Sequence, residues 1–149
     1  MSSSPVKRPL FVAEPMAHWR ARPPAVVDCS ILASYLWREP QADEAERLMT
    51  GLSLQAPVLL KYEIANVARN KLRSGSTPAA ARAGVDALAD QQLVFHDVDP
   101  GILLDIGARY GLTAYDAAYL VLADQLAAPL LTFDQRLAEA AARHFGAAS

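Results

Sequence analysis

Ala25-Val26-Val27-Asp28 is a short apolar run that ends on a carboxylate, and two helical stretches follow it, Ile31 to Trp37 and Ala42 to Leu52, broken around Pro40. The run reads as a buried strand, and in the second helix Ala45, Leu48, Met49 and Leu52 fall at helical spacing. The same alternation continues outward. Gln55 to Leu59 is expected as a second strand, and Tyr62 to Leu72 as a helix that stops near Gly75. Thr77 then suits an N-cap with Pro78 at the first helical position, opening a helix to about Gln91. Leu93 to His96 is a third strand, and Asp99 caps a helix that ends near Tyr110-Gly111, where glycine suits a left-handed cap. Thr113 to Ala127, Pro129 to Thr132 and Asp134 to Phe145 complete the pattern as helix, strand and helix.

Strands separated by helices need crossover connections, so the expected fold is α/β with a mostly parallel sheet covered on both faces. Ligands in such folds bind beyond the carboxyl ends of the strands. Upstream, residues 1–24 are rich in Ser and Pro, carry Lys7, Arg8, Arg20 and Arg22, and show no sustained period. They are expected to form a flexible N-terminal extension to a domain spanning residues 25–149.

The chain has 149 residues, enough for one domain, and about half of them are hydrophobic, as a real core requires. Its formal net charge is −2, from 14 Lys plus Arg against 16 Asp plus Glu. Nucleic-acid binders are usually basic. Setting aside the four carboxylates discussed next, however, leaves the remainder net positive, so charge excludes no polyanionic partner. One cysteine, Cys29, allows no disulfide within the chain and suits a reducing compartment. No run is long enough to cross a bilayer. Glu14 and Pro15 interrupt the only short apolar stretch near the start, Pro9 to Ala13, so no secretory signal is legible. A cytoplasmic protein is expected.

The acidic residues fall where a ligand would bind. Asp28 directly follows the first strand, Glu63 lies in the first turn after the second, and Asp134 sits two residues past the fourth. Asp116 occupies the first turn of a helix entered through Gly111-Leu112-Thr113. Each has a plain local use. Asp28 and Asp134 suit helix caps, Glu63 the positive end of a helix dipole, and Thr113 with Asp116 a capping box. Four clustered acids without a cation would repel one another, a cost that points to a use. Carboxylate oxygens suit a hard cation such as Mg²⁺ or Mn²⁺. The sequence has no cysteine or histidine cluster for zinc.

At these residues the chain resembles the PIN-domain family, and more narrowly its VapC-type toxin ribonucleases. The blocks that carry the resemblance are Val26-Val27-Asp28-Cys29-Ser30, Tyr62-Glu63-Ile64-Ala65-Asn66, Leu112-Thr113-Ala114-Tyr115-Asp116-Ala117-Ala118-Tyr119 and Leu130-Leu131-Thr132-Phe133-Asp134. They stand in the family's order, and the likeness runs from Ala25 to about Phe145. It implies a PIN-like three-layer α/β/α sandwich in which Asp28, Glu63, Asp116 and Asp134 hold Mg²⁺ or Mn²⁺. Ser30, Thr132 and Asn66 match positions that support the site. It also implies a metal-dependent endoribonuclease that is the toxin of a type II toxin–antitoxin pair, with RNA as substrate, a cognate antitoxin and homodimers. In-line attack of water would leave a 5′-phosphate and a 3′-hydroxyl. Members often begin near the first strand, whereas about two dozen residues precede it here.

Lys61, Arg69, Lys71 and Arg73 are candidate contacts for RNA phosphates, with Arg38 and Arg136 behind them. Tyr115 and Tyr119 suit base stacking or a core or rim position. Leu36, Trp37, Leu48, Met49 and Leu52 are candidates for a partner surface or for plain packing. A haloacid-dehalogenase-like phosphatase would want a second acid where Ser30 stands, and a phosphate-cradling glycine loop is absent. A phosphoacceptor receiver would want paired acids at the first strand, also absent. The remaining alternative is a non-catalytic PIN-like module that binds RNA or protein.

Overall fold

The computed structural model describes residues 22–147. Four strands, β1 (Pro24–Val27), β2 (Ser53–Pro57), β3 (Val94–His96) and β4 (Leu130–Leu131), form one sheet in the order β3-β2-β1-β4. All three pairings are parallel, with Val26 opposite Gln55 and Leu130, and Pro57 opposite His96. The chain moves outward from β1 to β2 and β3, then crosses back to place β4 on the far side of β1. The sheet's switch point therefore lies between β1 and β4, at the crevice where parallel sheets take ligands.

Seven helices cover the sheet: α1 (Cys29–Leu36), α2 (Ala42–Met49), α3 (Leu59–Arg73), α4 (Pro78–Asp90), α5 (Pro100–Tyr110), α6 (Ala114–Leu126) and α7 (Gln135–Ala147). Helices α1 to α4 pack on one another, while α6 lies against β1, β2 and β4 and is flanked by α5 and α7. The result is the three-layer sandwich expected from the alternation. Every residue of α6 from Ala117 to Ala123 is buried. A helix apolar on all sides belongs between layers, and Ala117, Ala118 and Ala123 let sheet and helices approach it closely. The core joins Val26, Val27, Ile31, Leu32, Leu60, Ile64, Tyr119, Leu120, Leu122 and Leu137 across both layers.

Local chemistry sets the boundaries. Thr77 and Asp99 cap α4 and α5 through their side chains, each followed by proline. Gly111 ends α5 in the left-handed region (φ 64°), which glycine adopts without a Cβ clash. Among the boundaries that differ from the sequence reading, two have a plain local cause. The second strand stops at Pro57, because Leu59 already turns into α3. Pro24, read as part of the extension, opens β1, and the neighbouring Pro23 carbonyl accepts from the Ser53 N–H at 2.9 Å. The rest of the proposed extension, residues 1–21, lies outside the described residues. No helix among the described residues is long and apolar enough to cross a membrane.

Candidate active site

Asp28 leaves the carboxyl end of β1 and enters α1 as its N-cap, so the strand-to-helix turn points a carboxylate into the switch-point crevice. It is almost fully buried. Three donors hold it. The Ser30 hydroxyl donates to Oδ1 at 2.6 Å, the Ile31 N–H to the same oxygen at 3.2 Å, and the Thr132 hydroxyl to Oδ2 at 2.5 Å. Both hydroxyls are themselves fixed from behind. The Phe133 N–H donates to Ser30 Oγ and the Asp134 N–H to Thr132 Oγ1, each at 2.9 Å. Two parallel relays thus tie the β4–α7 turn to Asp28. They leave Oδ2 one further lone pair.

The other three acids arrive from separate elements. Glu63 stands half-buried in the first turns of α3, and the buried Tyr119 hydroxyl of α6 donates to its Oε1. Asp116 lies in the first turn of α6, where its N–H donates to the capping Thr113 hydroxyl at 3.1 Å. Asp134 is exposed and turns Oδ1 to the Leu137 N–H at 3.0 Å, starting α7.

Electrostatics binds the four into a closed ring. Burial first, and then the neighbouring charge of Asp134, push the Asp28 carboxyl above its ordinary value against the pull of its hydrogen bonds. Glu63 is raised by burial and by the charges of Asp116 and Asp28, with the Tyr119 hydroxyl acting the other way. Asp116 is raised by burial and by Asp134, partly offset by Thr113 and by Arg136. Asp28 and Asp116 thus each feel Asp134, and Glu63 feels both Asp28 and Asp116. Cys29, beside them, is pushed up to about 12 by burial and by Glu63, Asp28 and Glu39, which leaves it a protonated, inert thiol.

The donor set is entirely carboxylate, which suits a hard divalent cation, and the unrelieved mutual repulsion is what such an ion would offset. Among the described residues, however, no three His, Cys, Asp or Glu side chains stand close enough together to hold a metal ion. The acids are electrostatically coupled but remain apart.

A model of the PIN domain family matches residues 25–143. The chain belongs to the PIN domain family. It is VapC-like within it, being 31% identical over 121 residues to Ribonuclease VapC3 of Pyrobaculum aerophilum, a match spanning 76% of this chain and 92% of that protein. Among solved structures it is similar to the crystal structure of PAE2754 from Pyrobaculum aerophilum. That likeness has a TM-score of 0.63 at 25% identity, over 79% of this chain and 86% of the other.

The remaining sequence candidates distribute unevenly. Ser30 and Thr132 touch Asp28 directly, whereas Asn66 is exposed one turn beyond Glu63 and bonds none of the acids. Lys61 lies on the first turn of α3 with its ammonium 4.4 Å from the centre of the Phe95 ring. Lys71 is half-buried and paired with Glu39 at 2.8 Å, near the far end of the helix, and Arg69 and Arg73 are exposed there too. The apolar residues of the first two helices are buried or partly buried. Met49 is buried, Leu36, Trp37 and Leu48 are partly buried against the core, and Leu52 is half-buried, with α1 packed on α2, α3 and α4. The exposed large apolar side chains are instead Tyr62, Val94, Ile102, Leu104 and Tyr115.

Two residues matter more than their sequence positions suggested. Tyr119 is a core residue whose hydroxyl orients Glu63, and its place one turn after Asp116 was the available signal. Arg136, in the first turn of α7, donates to the Gly111 carbonyl and so clamps the loop that leads into α6 just before Asp116. A cleft of about 650 Å³, lined by Arg22, Tyr35, Thr50 and Gln91 among others, opens at the amino ends of β1 and β2. It contains none of the four acids, and the switch point outweighs its size as a guide to chemistry.

Proposed function

We propose that this chain is a divalent-metal-dependent endoribonuclease, the toxin of a toxin–antitoxin pair, acting in the cytoplasm. The observation that carries the proposal is the group of mutually repelling carboxylates at the switch point, none of them in an ion pair among the described residues. The likeness to Ribonuclease VapC3 supports RNA as the substrate class. Asp28 and Asp116 would hold Mg²⁺ or Mn²⁺ directly, with Glu63 and Asp134 ligating directly or through water. When bound, such an ion supplies Lewis acidity toward a phosphate oxygen and lowers the pKa of water. The chain's own residues prepare that site. Ser30, Thr132 and the Ile31 N–H fix the Asp28 carboxylate, and the Tyr119 hydroxyl fixes that of Glu63. Lys61 and Arg136 put positive charge at its margins for flanking phosphates.

Ile102 and Leu104, both exposed on α5, support a contact with a second copy or with the cognate antitoxin. The separation of the acids favours a second reading, a PIN-like module that binds RNA without cutting it. Cleavage of a mixed RNA by purified protein with Mg²⁺, Mn²⁺ or EDTA, beside Asp116→Asn, separates the two. Metal-dependent cutting by the wild type alone is the expected result. Equal cutting by the variant would refute the site, and absence of both cutting and metal binding would favour the module.

A further inference from the structure

Beside the carboxylates lies a second, smaller cavity that the reading above leaves without a role. It has a volume of about 270 Å³ and opens at the carboxyl ends of β2 and β3, between the first turns of α3, α5 and α6. Its walls are apolar, with Val58, Leu59, Leu103 and Ala118 among them, and Tyr115 forms one side. The Tyr115 side chain is 68% exposed, so its ring face is free to receive a planar ligand. Tyr115 precedes Asp116 in sequence, and Leu59 lies one helical turn before Glu63 on α3. The cavity therefore flanks the carboxylate ring, within reach of a nucleotide next to the scissile phosphate.

The polar groups of the cavity are hydrogen-bond acceptors. Asp97 is exposed and forms no ion pair or hydrogen bond with the described residues, leaving both carboxylate oxygens open to them. His96 Nε2 lies 2.7 Å from Gln55 Oε1. The Gln55 amide nitrogen donates to the Ser53 side chain at 2.9 Å, which turns its oxygen toward the imidazole. His96 Nε2 therefore carries the proton, and in the neutral ring Nδ1 is an acceptor. Among the described residues, no lysine or arginine lines the cavity. A cation-free pocket bearing a carboxylate repels phosphate. Next to an aromatic face, it suits a base that offers donors.

We propose that this cavity binds a guanine base of the RNA, stacked on Tyr115 and read by Asp97, and so sets where the chain cuts. A carboxylate presents two parallel acceptors, and guanine's Watson–Crick edge presents N1–H and N2–H as two adjacent donors. Adenine and cytosine offer one exocyclic amine beside an acceptor, and uracil a single N–H between two carbonyls. Single-stranded RNA is commonly read in this way, by an aromatic platform and the Watson–Crick edge. The inference rests on the ribonuclease reading for its biological use but not for its test.

The test pairs binding with cleavage. Short fluorescein-labelled RNAs with one guanine in an adenine–uracil background are titrated into Asp116→Asn protein by anisotropy, and the same RNAs with inosine for guanine serve as control. Inosine lacks only the N2 amine, so losing one charge-assisted hydrogen bond should weaken binding about tenfold or more. Asp97→Asn in that background should bind guanine and inosine RNAs alike. Tyr115→Ala should weaken both, and Tyr115→Phe should restore them. Wild-type cleavage sites are mapped on the same RNAs. Cutting without preference for guanine would overturn the pocket and leave the nuclease standing. Guanine discrimination without cutting would uphold the pocket and overturn the nuclease. Absence of both discrimination and cutting would overturn both.

Discussion

Replacing Tyr119 by phenylalanine removes one hydroxyl from the centre of the molecule and little else. The ring is 1% exposed and packed in the core between sheet and helices, so phenylalanine fills the same space without a cavity. What is lost is the donor to Glu63 Oε1. A hydrogen bond to an ionised group is worth about 1.5–3 kcal/mol, and Glu63 is only half-buried, so water replaces part of it. A loss of about 1–2 kcal/mol is expected at neutral pH, the low end of that range.

The pH dependence identifies the cause. Burial already raises the Glu63 carboxyl above its ordinary value, and Tyr119 opposes that rise by favouring the charged form. The variant's carboxyl will be raised further. A group raised on folding gives up stability as pH climbs through its folded value, so the variant loses more than the wild type on the way from acid to neutral. The gap between them should be small, about 0.5 kcal/mol, where Glu63 is protonated and the bond is neutral, and should widen above the ordinary glutamate range. Urea unfolding of both proteins in EDTA, at about pH 4 and at neutral pH, measures it. A gap of equal size at both pH values, or a larger one in acid, would show that Tyr119 acts through packing and not through the charge of Glu63.

Three further changes probe other parts of the structure. Gly84→Ala should destabilise, against the usual trend of that substitution in helices, because the new Cβ would lie 2.1 Å from Trp37 Cε2. Overpacking of about 1–3 kcal/mol and strain on the Trp37 Nε1–H bond to the Ala80 carbonyl outweigh roughly 1 kcal/mol of helix propensity; a rise in urea midpoint would refute the packing. Asp116→Asn should leave metal-free stability unchanged in strong acid and raise it progressively as pH climbs, because the wild-type group is raised on folding. Thermal melts in EDTA check this, and added Mg²⁺ should then raise the melting temperature of the wild type and not of the variant. Ala127→Gly should stabilise by about 0.5–1 kcal/mol, since Ala127 ends α6 at φ 48° and glycine relieves that left-handed strain, as chemical denaturation would report.

The alternation of strands and helices was legible because each element carries its own punctuation. Thr77-Pro78 and Asp99-Pro100 mark starts, Gly111 marks a stop, and Val26-Val27-Asp28 changes character in three residues. The end of β2 was not legible, because Val58 and Leu59 are as apolar as the strand before them. Only tertiary packing decides that the chain coils there. The candidate site was readable as a set of strand-end acids, and the support from Ser30 and Thr132 followed from the motif blocks. The role of Tyr119 was hidden for a different reason. A buried tyrosine in an apolar helix looks like core until the partner of its hydroxyl, 56 positions away, is known. For the apolar residues of α1 and α2 a partner surface and plain packing stayed open on the same ground, since hydrophobic spacing marks a buried face but not what buries it.

The kind of donor used at the site argues for its purpose more strongly than the number of acids does. Every group that holds Asp28 or Glu63 is neutral: the hydroxyls of Ser30, Thr132 and Tyr119, and one backbone N–H. The ion pairs among the described residues join Arg38 to Glu46, Arg47 to Glu44, Lys71 to Glu39 and His144 to Asp124, and none involves the four acids. Even Arg136, near enough to influence Asp116, spends its guanidinium on the Gly111 carbonyl. A structural carboxylate this deeply buried is ordinarily paired with a cation, which would make the fold more tolerant of it. Neutral donors orient the oxygens and leave their charge intact. The fold thus keeps a repulsion that a single lysine would have cancelled, and on that uncancelled charge the proposed metal site rests.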